Sequence, residues 1–297
     1  MEEKKIFELS FEKALSRRKR VQKILFMLFR IAALINCAAL FLVVAFIFMK
    51  GWKAITWGFL TQAPLESMTK GGILPCIVGT LCLGVGAIIV ALPVGVASAI
   101  YLNEYARPGR ALRLIRLGIS NLAGVPSVVF GLFGLAFFVI WLKMGVSIIA
   151  GVLTLASLTL PVIIGSTEEA LKSVPDTYRE ASLALGATRW QTIYRVVVPA
   201  ALPGILTGAI LGLSRAAGET APIMFTAAVF YTPTLPSSPF DKIMALPYHI
   251  YVLATAGTNI EATRPLQYGT ALVLITLVLG MNLAAIVWRS KLRKKMK

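Results

Sequence analysis

The sequence predicts an all-α membrane protein with six transmembrane helices and both termini in the cytoplasm. Three observations support this fold class. The composition is 57% apolar and only 14% charged, with a mean hydropathy of +0.79, which is too apolar for an ordinary soluble domain. Six runs without charged residues are each long enough to cross a hydrocarbon core of about 30 Å. The Lys and Arg residues are concentrated in the segments on one side of these runs.

The six predicted spans cover residues 31–49, 71–103, 117–142, 144–167, 196–214 and 265–288. An even number of crossings places both termini on the same side of the membrane. The second run carries Pro75 and Pro93, so we expect a kinked or tilted helix there. A long basic stretch precedes the first run and no small-residue cleavage site follows it, so we expect this span to remain as an anchor.

The distribution of positive charge orients the spans. Of the 30 Lys and Arg residues, 23 lie before the first run, after the last one, or in the segments 103–116 and 172–195. The positive-inside rule therefore places both termini and these two segments in the cytoplasm. The net charge of +17 is sorted by side of the membrane rather than gathered on one face, so we expect no nucleic-acid partner.

The chain divides into three predicted parts. They are a basic cytoplasmic N-terminal segment (1–25), a transmembrane domain (26–290) that includes a cytoplasmic loop (168–199), and a basic cytoplasmic tail (291–297). Charged and apolar positions alternate in the N-terminal segment, which fits either a helix on the inner leaflet or a solvated tail.

The stretch 220–264 is ambiguous. Residues 243–260 are uncharged over 18 positions, but a single crossing there would move the basic tail outside, so the stretch crosses twice or not at all. Four prolines from Pro233 to Pro247, together with Asp241 and His249, favour an external loop with short segments at the membrane surface. We expect the lone His249 to be an interfacial side chain rather than a ligand.

The sequence offers no metal site and no catalytic group. Cys37, Cys76 and Cys82 all fall inside predicted spans, where a thiol packs as a small hydrophobe, and their spacing matches no metal site. No phosphate-binding loop of the form G-x-x-x-x-G-K-[ST] occurs, so this chain cannot hydrolyse ATP alone. We expect it to bind no cofactor.

The loop 168–199 is too polar for the membrane and has the pattern of two short helices. Asp176 can cap a first helix that runs through Leu185, Gly186 makes the turn, and Thr188 starts an amphipathic second helix. Such a compact helical element is suited to docking in a groove of a partner protein.

The same loop resembles the signature of ABC-importer permeases. In that signature, Glu-Ala-Ala is followed after three residues by Gly and after nine more by Ile-x-Leu-Pro. Here Glu180, Ala181 and Ser182 stand for the first three residues, Gly186 for the glycine, and residues 196–199 (Val-Val-Val-Pro) for the end. The spacing is intact, and a loop that only links two spans would not require it.

The resemblance implies a type I ABC importer permease of the MetI-like fold. The loop would then be a coupling helix that docks on a separate ATP-hydrolysing subunit. The residues expected to couple are Asp176, Glu180, Ala181, Ala184, Leu185 and Gly186. The implied partners are two ATP-binding subunits that use ATP and Mg, a second homologous permease in a heterodimer, an extracytoplasmic binding protein, and membrane lipid.

Three further stretches resemble permeases of the bacterial phosphate ABC transporter: residues 99–105 (AIYLNEY), 121–134 (NLAGVPSVVFGLFG) and 214–222 (SRAAGETAP). The third is similar to the A type of phosphate permease at the same place. The resemblance implies an inner-membrane subunit for import of inorganic phosphate. The alternatives are an importer of another oxyanion, such as molybdate or sulfate, and a transporter or channel that works without ATP.

Arg215 is the charged residue that most needs an explanation, because arginine keeps its proton and is costly in a bilayer unless paired or hydrated. A helix that rises about 1.5 Å per residue from Pro199 puts Arg215 about 24 Å up, in the outer half of the membrane. Glu219 is expected one turn above it on the same face. Either the pair only anchors the span, or Arg215 lines the path of phosphate while Glu219 holds it and Thr220 adds a hydroxyl.

One position departs from the resemblance. Permeases of this type often have an arginine in the stretch 160–169, at the place where this chain has Gly165. A second arginine contact near the cytoplasm is therefore not expected in this chain. A partner subunit is the alternative source of guidance for the anion there.

Overall fold

The structure is a computed structural model of the chain and describes residues 2–68, 70–256 and 260–295. Side chains are not described for residues 2–17, 20, 67, 260–262 and 292–295. The outermost residues of both predicted terminal segments, most side chains of the segment 1–25, and residues 257–259 of the ambiguous stretch therefore lie outside the described residues.

The first unit of the chain, residues 1–50, consists of a single helix over its described residues. This helix, α1 (Glu2–Gly51), runs without a break across the predicted boundary at residue 25. Its described apolar side chains are largely exposed, with Phe41 at 71% and Met49 at 75%. An exposed apolar surface of this length suits a lipid environment.

The second unit, residues 51–297, consists of helices and one short hairpin. It opens with a 3₁₀ turn (Trp52–Ala54), α2 (Trp57–Thr61), and the antiparallel strands β1 (Pro64–Leu65) and β2 (Lys70–Gly71). The helices that follow are α3 (Leu74–Ile100), α4 (Arg110–Ala123), α5 (Ser127–Gly134), α6 (Ile148–Lys172), α7 (Asp176–Ala184), α8 (Arg189–Thr192), α9 (Val198–Gly218), α10 (Ala221–Thr226), α11 (Leu246–Thr255) and α12 (Ile260–Lys295). π-helical turns at Tyr101–Tyr105, Leu135–Trp141 and Ile193–Val197 extend α3 and α5 and join α8 to α9.

Among the described residues, five continuous helices are long and apolar enough to cross a membrane. They are Val21–Ala54, Leu74–Tyr105, Ile148–Lys172, Arg189–Gly218 and Thr263–Lys291. A bent pair, Arg110–Ala123 with Ser127–Trp141, brings the count to six if it forms one span. The predicted all-α fold with six spans is therefore confirmed on that count, and the spans follow in the expected order.

The third span departs from the prediction of one continuous helix over residues 117–142. α4 and α5 meet at 100° across the segment Gly124, Val125 and Pro126. Proline lacks an N–H and disfavours a helical conformation at the residue before it, so α4 ends and a new helix starts beyond Pro126. α4 itself is amphipathic, whereas α5 and its π-helical extension are almost wholly apolar.

Small residues bring α6 and α9 together. A β-carbon at Gly208 would overlap the side chain of Ser166, and one at Gly204 would overlap Ala170. Glycine permits this close approach of two membrane helices. The contacts also fix an antiparallel register in which Gly208 lies level with Ser166.

The stretch 220–264 holds two short helices and, in its described part, no candidate span. α11 has 10 residues, or about 15 Å, which is too short to cross the membrane. This length favours the predicted non-crossing loop, but residues 243–246 are buried rather than at the surface. His249 is 4% exposed, so the prediction of an interfacial side chain is wrong; it lies on an uncharged helix packed between α3 and α12. This burial lowers the pKa of His249 to about 4 and keeps it neutral.

Candidate anion path and coupling loop

Arg215 and Glu219 meet at the end of α9. The Arg215 Nε lies 3.4 Å from Glu219 Oε1, and the two side chains are 33% and 17% exposed. α9 ends at Gly218 and Glu219 is already extended, so the pair does not share one helical face as predicted. The chain instead becomes extended at Glu219 before α10 begins at Ala221. One long contact through Nε leaves the planar fork of the guanidinium open to another acceptor.

Contacts with α12 place Arg215 deeper in the membrane than the rise from Pro199 predicted. Arg289 donates a hydrogen bond of 2.6 Å to Thr207, and Ser214 donates one of 2.7 Å to Asn282. Because Arg289 marks the cytoplasmic end of the last span, Arg215 lies only about 12 Å above that level, eight residues beyond Thr207. By this register Arg215 lies beside the cytoplasmic half of the apolar run of α12, whereas the rise from Pro199 predicts the outer half of the membrane.

Thr220, the third predicted path residue, lies beside this pair. It is half-buried at the start of α10, and its side chain makes no capping bond to that helix. The structure therefore brings all three predicted path residues to one place, between the end of α9 and the start of α10.

The loop 168–199 has the predicted turn and second helix. Gly186 adopts a φ of +84°, a conformation that favours glycine. Thr188 and Gln191 form a reciprocal capping box at the start of α8.

The predicted role of Asp176 as a helix cap is wrong. Pro175 occupies the cap position of α7, and Asp176 follows as the first helical residue. Its carboxylate instead pairs with Arg179 at 3.1 Å. An acidic residue in the first turn is still favourable, because it opposes the positive end of the helix dipole.

The predicted coupling residues are all exposed: Asp176, Glu180, Ala181, Ala184, Leu185 and Gly186. The first five of these residues lie on one side of α7 or at its C-terminal end, because of their helical spacing. Leu185, at the end of α7, has 90% of its surface exposed. On the other side, a hydrogen bond of 2.9 Å between Ser182 and Thr192 holds α7 against α8.

The coupling loop is attached to the cytoplasmic end of α3 through Glu104, which the sequence did not single out. The Arg179 Nη2 lies 2.9 Å from Glu104 Oε1, and the side chains are 17% and 9% exposed. Arg179 also donates to two carbonyls at the end of α6. Arg189 donates to the Glu104 carbonyl and lies over the Tyr105 ring. Both helices of the loop are therefore joined to one point of the second span.

Gly165 faces a cavity of about 270 Å³ between α4 and α6. A β-carbon at this position would meet no atom within 4 Å. Arg116 of α4 borders the same cavity, with its Nε 3.3 Å from Glu168 Oε2. Position 165 supplies no arginine, but a neighbouring helix places one beside it, which sequence spacing could not indicate.

In the described part of the chain, no group of three or more His, Cys, Asp or Glu side chains could hold a metal ion. The three cysteines are free thiols, of which Cys76 is buried, Cys82 half-buried and Cys37 exposed. The path residues and the coupling loop are the groups that carry a functional argument.

Comparison with known families decides the identity of the chain. The family model described as "Binding-protein-dependent transport system inner membrane component" matches residues 91–297, which is more than two thirds of the chain. The chain belongs to this family. It is an inner-membrane permease subunit of an ABC importer, is not itself catalytic, and, like other members of the family, binds no cofactor. As such a permease it depends on ATPase and binding-protein partners.

Curated relatives of the permease cover most of its length. It is 34% identical to the probable ABC transporter permease protein YqgI of Bacillus subtilis over 90% of this chain and 95% of that protein. It is 39% identical to the phosphate transport system permease protein PstA 1 of Mycobacterium tuberculosis over 81% of this chain and 79% of that protein. The PstA protein of Mycobacterium leprae is 37% identical, over 92% and 90% of the two chains.

Solved structures share the fold of the permease. A chain of the MetNI methionine ABC transporter, in an inward-facing conformation, superimposes with a TM-score of 0.57 at 21% identity, covering 74% of this chain and 94% of that one. A chain of a bacterial alginate ABC transporter reaches a TM-score of 0.60 at 15% identity, covering 89% and 93%. At these identities the matches establish the fold alone, and they agree with the predicted MetI-like type.

Proposed function

We propose that this permease carries inorganic phosphate. It forms half of the translocation path of an importer, and a second homologous permease completes the path as a heterodimer. Two ATP-binding subunits and an extracytoplasmic phosphate-binding protein complete the complex. The observation that carries the proposal is the half-buried Arg215, held by Glu219 within the membrane, in a chain whose relatives include phosphate transport permeases.

The path residues are suited to transient binding of an oxyanion. The Arg215 fork presents N–H donors in the plane that matches two phosphate oxygens. Glu219 neutralises Arg215 when no anion is bound, so the membrane never contains an unpaired charge. Because phosphate shares the guanidinium with that carboxylate, whose negative charge repels the anion, binding is weak enough to permit release. The Thr220 hydroxyl supplies a further donor to the anion.

The exposed coupling loop is the proposed docking element for an ATP-binding subunit. Leu185 offers an apolar side chain for a groove, and Glu180 offers charge on the adjoining face of α7. Closure of the ATP-binding subunits on ATP would then move the loop, and alternating access to Arg215 would follow. The Glu104–Arg179 pair would carry the same movement to the second span.

The purified complete complex tests the choice of phosphate. We expect its ATP hydrolysis to rise several-fold with phosphate-loaded binding protein and to stay at the basal rate with the sulfate-loaded form. The control is the unloaded binding protein, which distinguishes the effect of the bound anion on ATP hydrolysis from the effect of contact with the binding protein itself. Stimulation by sulfate-loaded or molybdate-loaded protein alone would replace phosphate with that oxyanion, since the family and fold are common to all three.

Glu104→Gln is expected to lower the amount of phosphate imported per ATP hydrolysed by about tenfold. The change leaves Arg179 with Asp176 and its carbonyl partners but removes one charge-assisted hydrogen bond, which contributes about 1.5–3 kcal/mol to the attachment of the loop. ATP hydrolysis and phosphate uptake are measured together in proteoliposomes.

Glu66→Gln is the matched control for Glu104→Gln. Glu66 pairs with Lys70 at 2.9 Å, but both side chains are more than 60% exposed, and such pairs contribute little. The ratio of phosphate to ATP should be unchanged in this variant. An unchanged ratio in Glu104→Gln as well would show that the pair does not transmit the movement of the loop.

A further inference from the structure

Three charged side chains form a cluster at the cavity between α4 and α6, where Arg116 and Glu168 line the cavity and Lys172 lies outside the lining. Arg116 and Lys172 both contact the single carboxylate of Glu168, at 3.3 and 3.1 Å. Glu168 is 9% exposed, whereas the two cations are 39% and 53% exposed. Two positive charges share one negative charge here, so an anion would balance the group electrostatically.

Arg116 also has unused donors. Its Nη2 donates to the Leu102 carbonyl at 3.1 Å, and its Nε is buried close to Glu168 without hydrogen-bond geometry. A guanidinium has five N–H donors, and within the described residues no acceptor bonds the others. An oxyanion is the acceptor that fits such a planar donor group.

The space beside Arg116 can hold an anion with water. The cavity of about 270 Å³ is also lined by Ser120 and Gly165, and no side chain occupies it from position 165. A water molecule takes about 30 Å³ of liquid, so the volume exceeds that of a partly hydrated oxyanion. The absence of a side chain at Gly165 keeps the Arg116 donors accessible.

The cavity lies nearer the cytoplasm than Arg215. Gly208 of α9 is level with Ser166 of α6. Arg215 is seven residues outward from Gly208, and Glu168 is two residues inward from Ser166. The two arginine–glutamate pairs are therefore about 13 Å apart along the membrane normal, with the Arg116 pair nearer the cytoplasm.

We propose that Arg116, with Ser120 and Glu168 around it, forms a second anion-binding site near the cytoplasm, which phosphate occupies after leaving Arg215 and before release. The inference rests on the proposed function of the chain as a phosphate permease. A phosphate group could also come from a lipid headgroup. We assign the site to the transported anion, because the cavity lies against α6, and α6 packs against α9, the helix that carries Arg215.

Thiol protection tests the site directly. Ser120→Cys is introduced into a permease that also carries Cys37→Ala, because Cys37 is the exposed native thiol. The complete nucleotide-free complex in nanodiscs is treated with a membrane-impermeant maleimide while inorganic phosphate replaces chloride at constant ionic strength. We expect phosphate to slow alkylation of the new thiol several-fold, and Arg116→Gln in the same protein to abolish the protection.

Gly118→Cys is the matched control on the same helix. Gly118 does not line the cavity and has no neighbour within 4 Å of a β-carbon, so its alkylation should not respond to phosphate. Equal rates with and without phosphate at Ser120→Cys would overturn the proposal. Alkylation that responds to the anionic lipid content of the nanodisc and not to phosphate would assign the site to a headgroup and also overturn it.

Uptake kinetics separate this inference from the proposed function. Arg116→Gln is expected to lower the maximal uptake rate several-fold and to leave the KM for loaded binding protein unchanged, because the site acts after delivery. Native kinetics in this variant, with uptake intact, would refute the inner site and leave the phosphate permease standing. Absence of phosphate uptake by the native complex would refute the proposed function itself.

Discussion

Arg215→Gln is expected to lower phosphate uptake about 100-fold while the complex still assembles. Loss of a charge-assisted, two-point contact with phosphate removes about 2–3 kcal/mol of binding. The neutral side chain also leaves Glu219 without its cation, in a part of the membrane where an unpaired carboxylate is costly. Uptake is measured in proteoliposomes, with membrane insertion and co-purification of the ATP-binding subunits measured on the same preparations.

Arg215→Lys is the control that separates charge from geometry. Lysine keeps the positive charge opposite Glu219 but lacks the planar fork. We therefore expect a rate of uptake between the rate of the native chain and the rate of Arg215→Gln. If uptake by Arg215→Gln equals that of the native chain, the pair is a structural anchor. The anion path would then lie on other helices or in the partner permease.

Leu185→Asp is expected to reduce co-purification of the ATP-binding subunits by at least about tenfold. Burying a leucine side chain in a groove contributes about 1.5–3 kcal/mol, and a carboxylate in its place adds a desolvation cost. The permease should still fold and insert, because Leu185 is 90% exposed and supports no core contact in the chain itself. Affinity purification of the permease, followed by quantification of the bound subunits, measures the effect.

Leu235→Asp is the matched substitution for Leu185→Asp. Leu235 is 51% exposed and lies in the segment between α10 and α11, away from the coupling loop, so subunit binding should be unchanged. Gly186→Ala probes the turn itself. A residue with a β-carbon at a φ of +84° costs about 1–2 kcal/mol, so docking should weaken without being lost. Native docking by Leu185→Asp would exclude the tip of the loop from the interface.

Local patterns in the sequence were sufficient to predict the spans and the turn of the coupling loop. Apolar runs and charge bias depend on the solvent that surrounds each helix, and the turn at Gly186 depends on one residue's conformational freedom. Hydropathy alone missed the bend before Ser127, because Gly124 to Pro126 are apolar enough to extend the run while the proline breaks the helix.

Contacts between distant segments were not predictable in the same way. Glu104 and Arg179 are 75 residues apart, and only the packing of α3 against the loop brings them together. The sequence did carry a signal for a role of Glu104, because it is an acidic residue directly after a long uncharged run. The depth of Arg215 likewise depends on the register between α9 and α12, which the contact between Thr207 and Arg289 reveals.

The helix from Arg189 to Gly218 is continuous, so it acts as a lever between the cytoplasm and the membrane interior. Arg215 is about 39 Å from its cytoplasmic end, and a rotation of about 10° about that end would displace the guanidinium by about 7 Å. Glu219 is bonded directly to Gly218 at the end of this helix, so it would be carried along with Arg215. Movement of the loop would therefore displace the cation together with its counter-ion, and the pair would stay intact while its position between the two sides of the membrane changed.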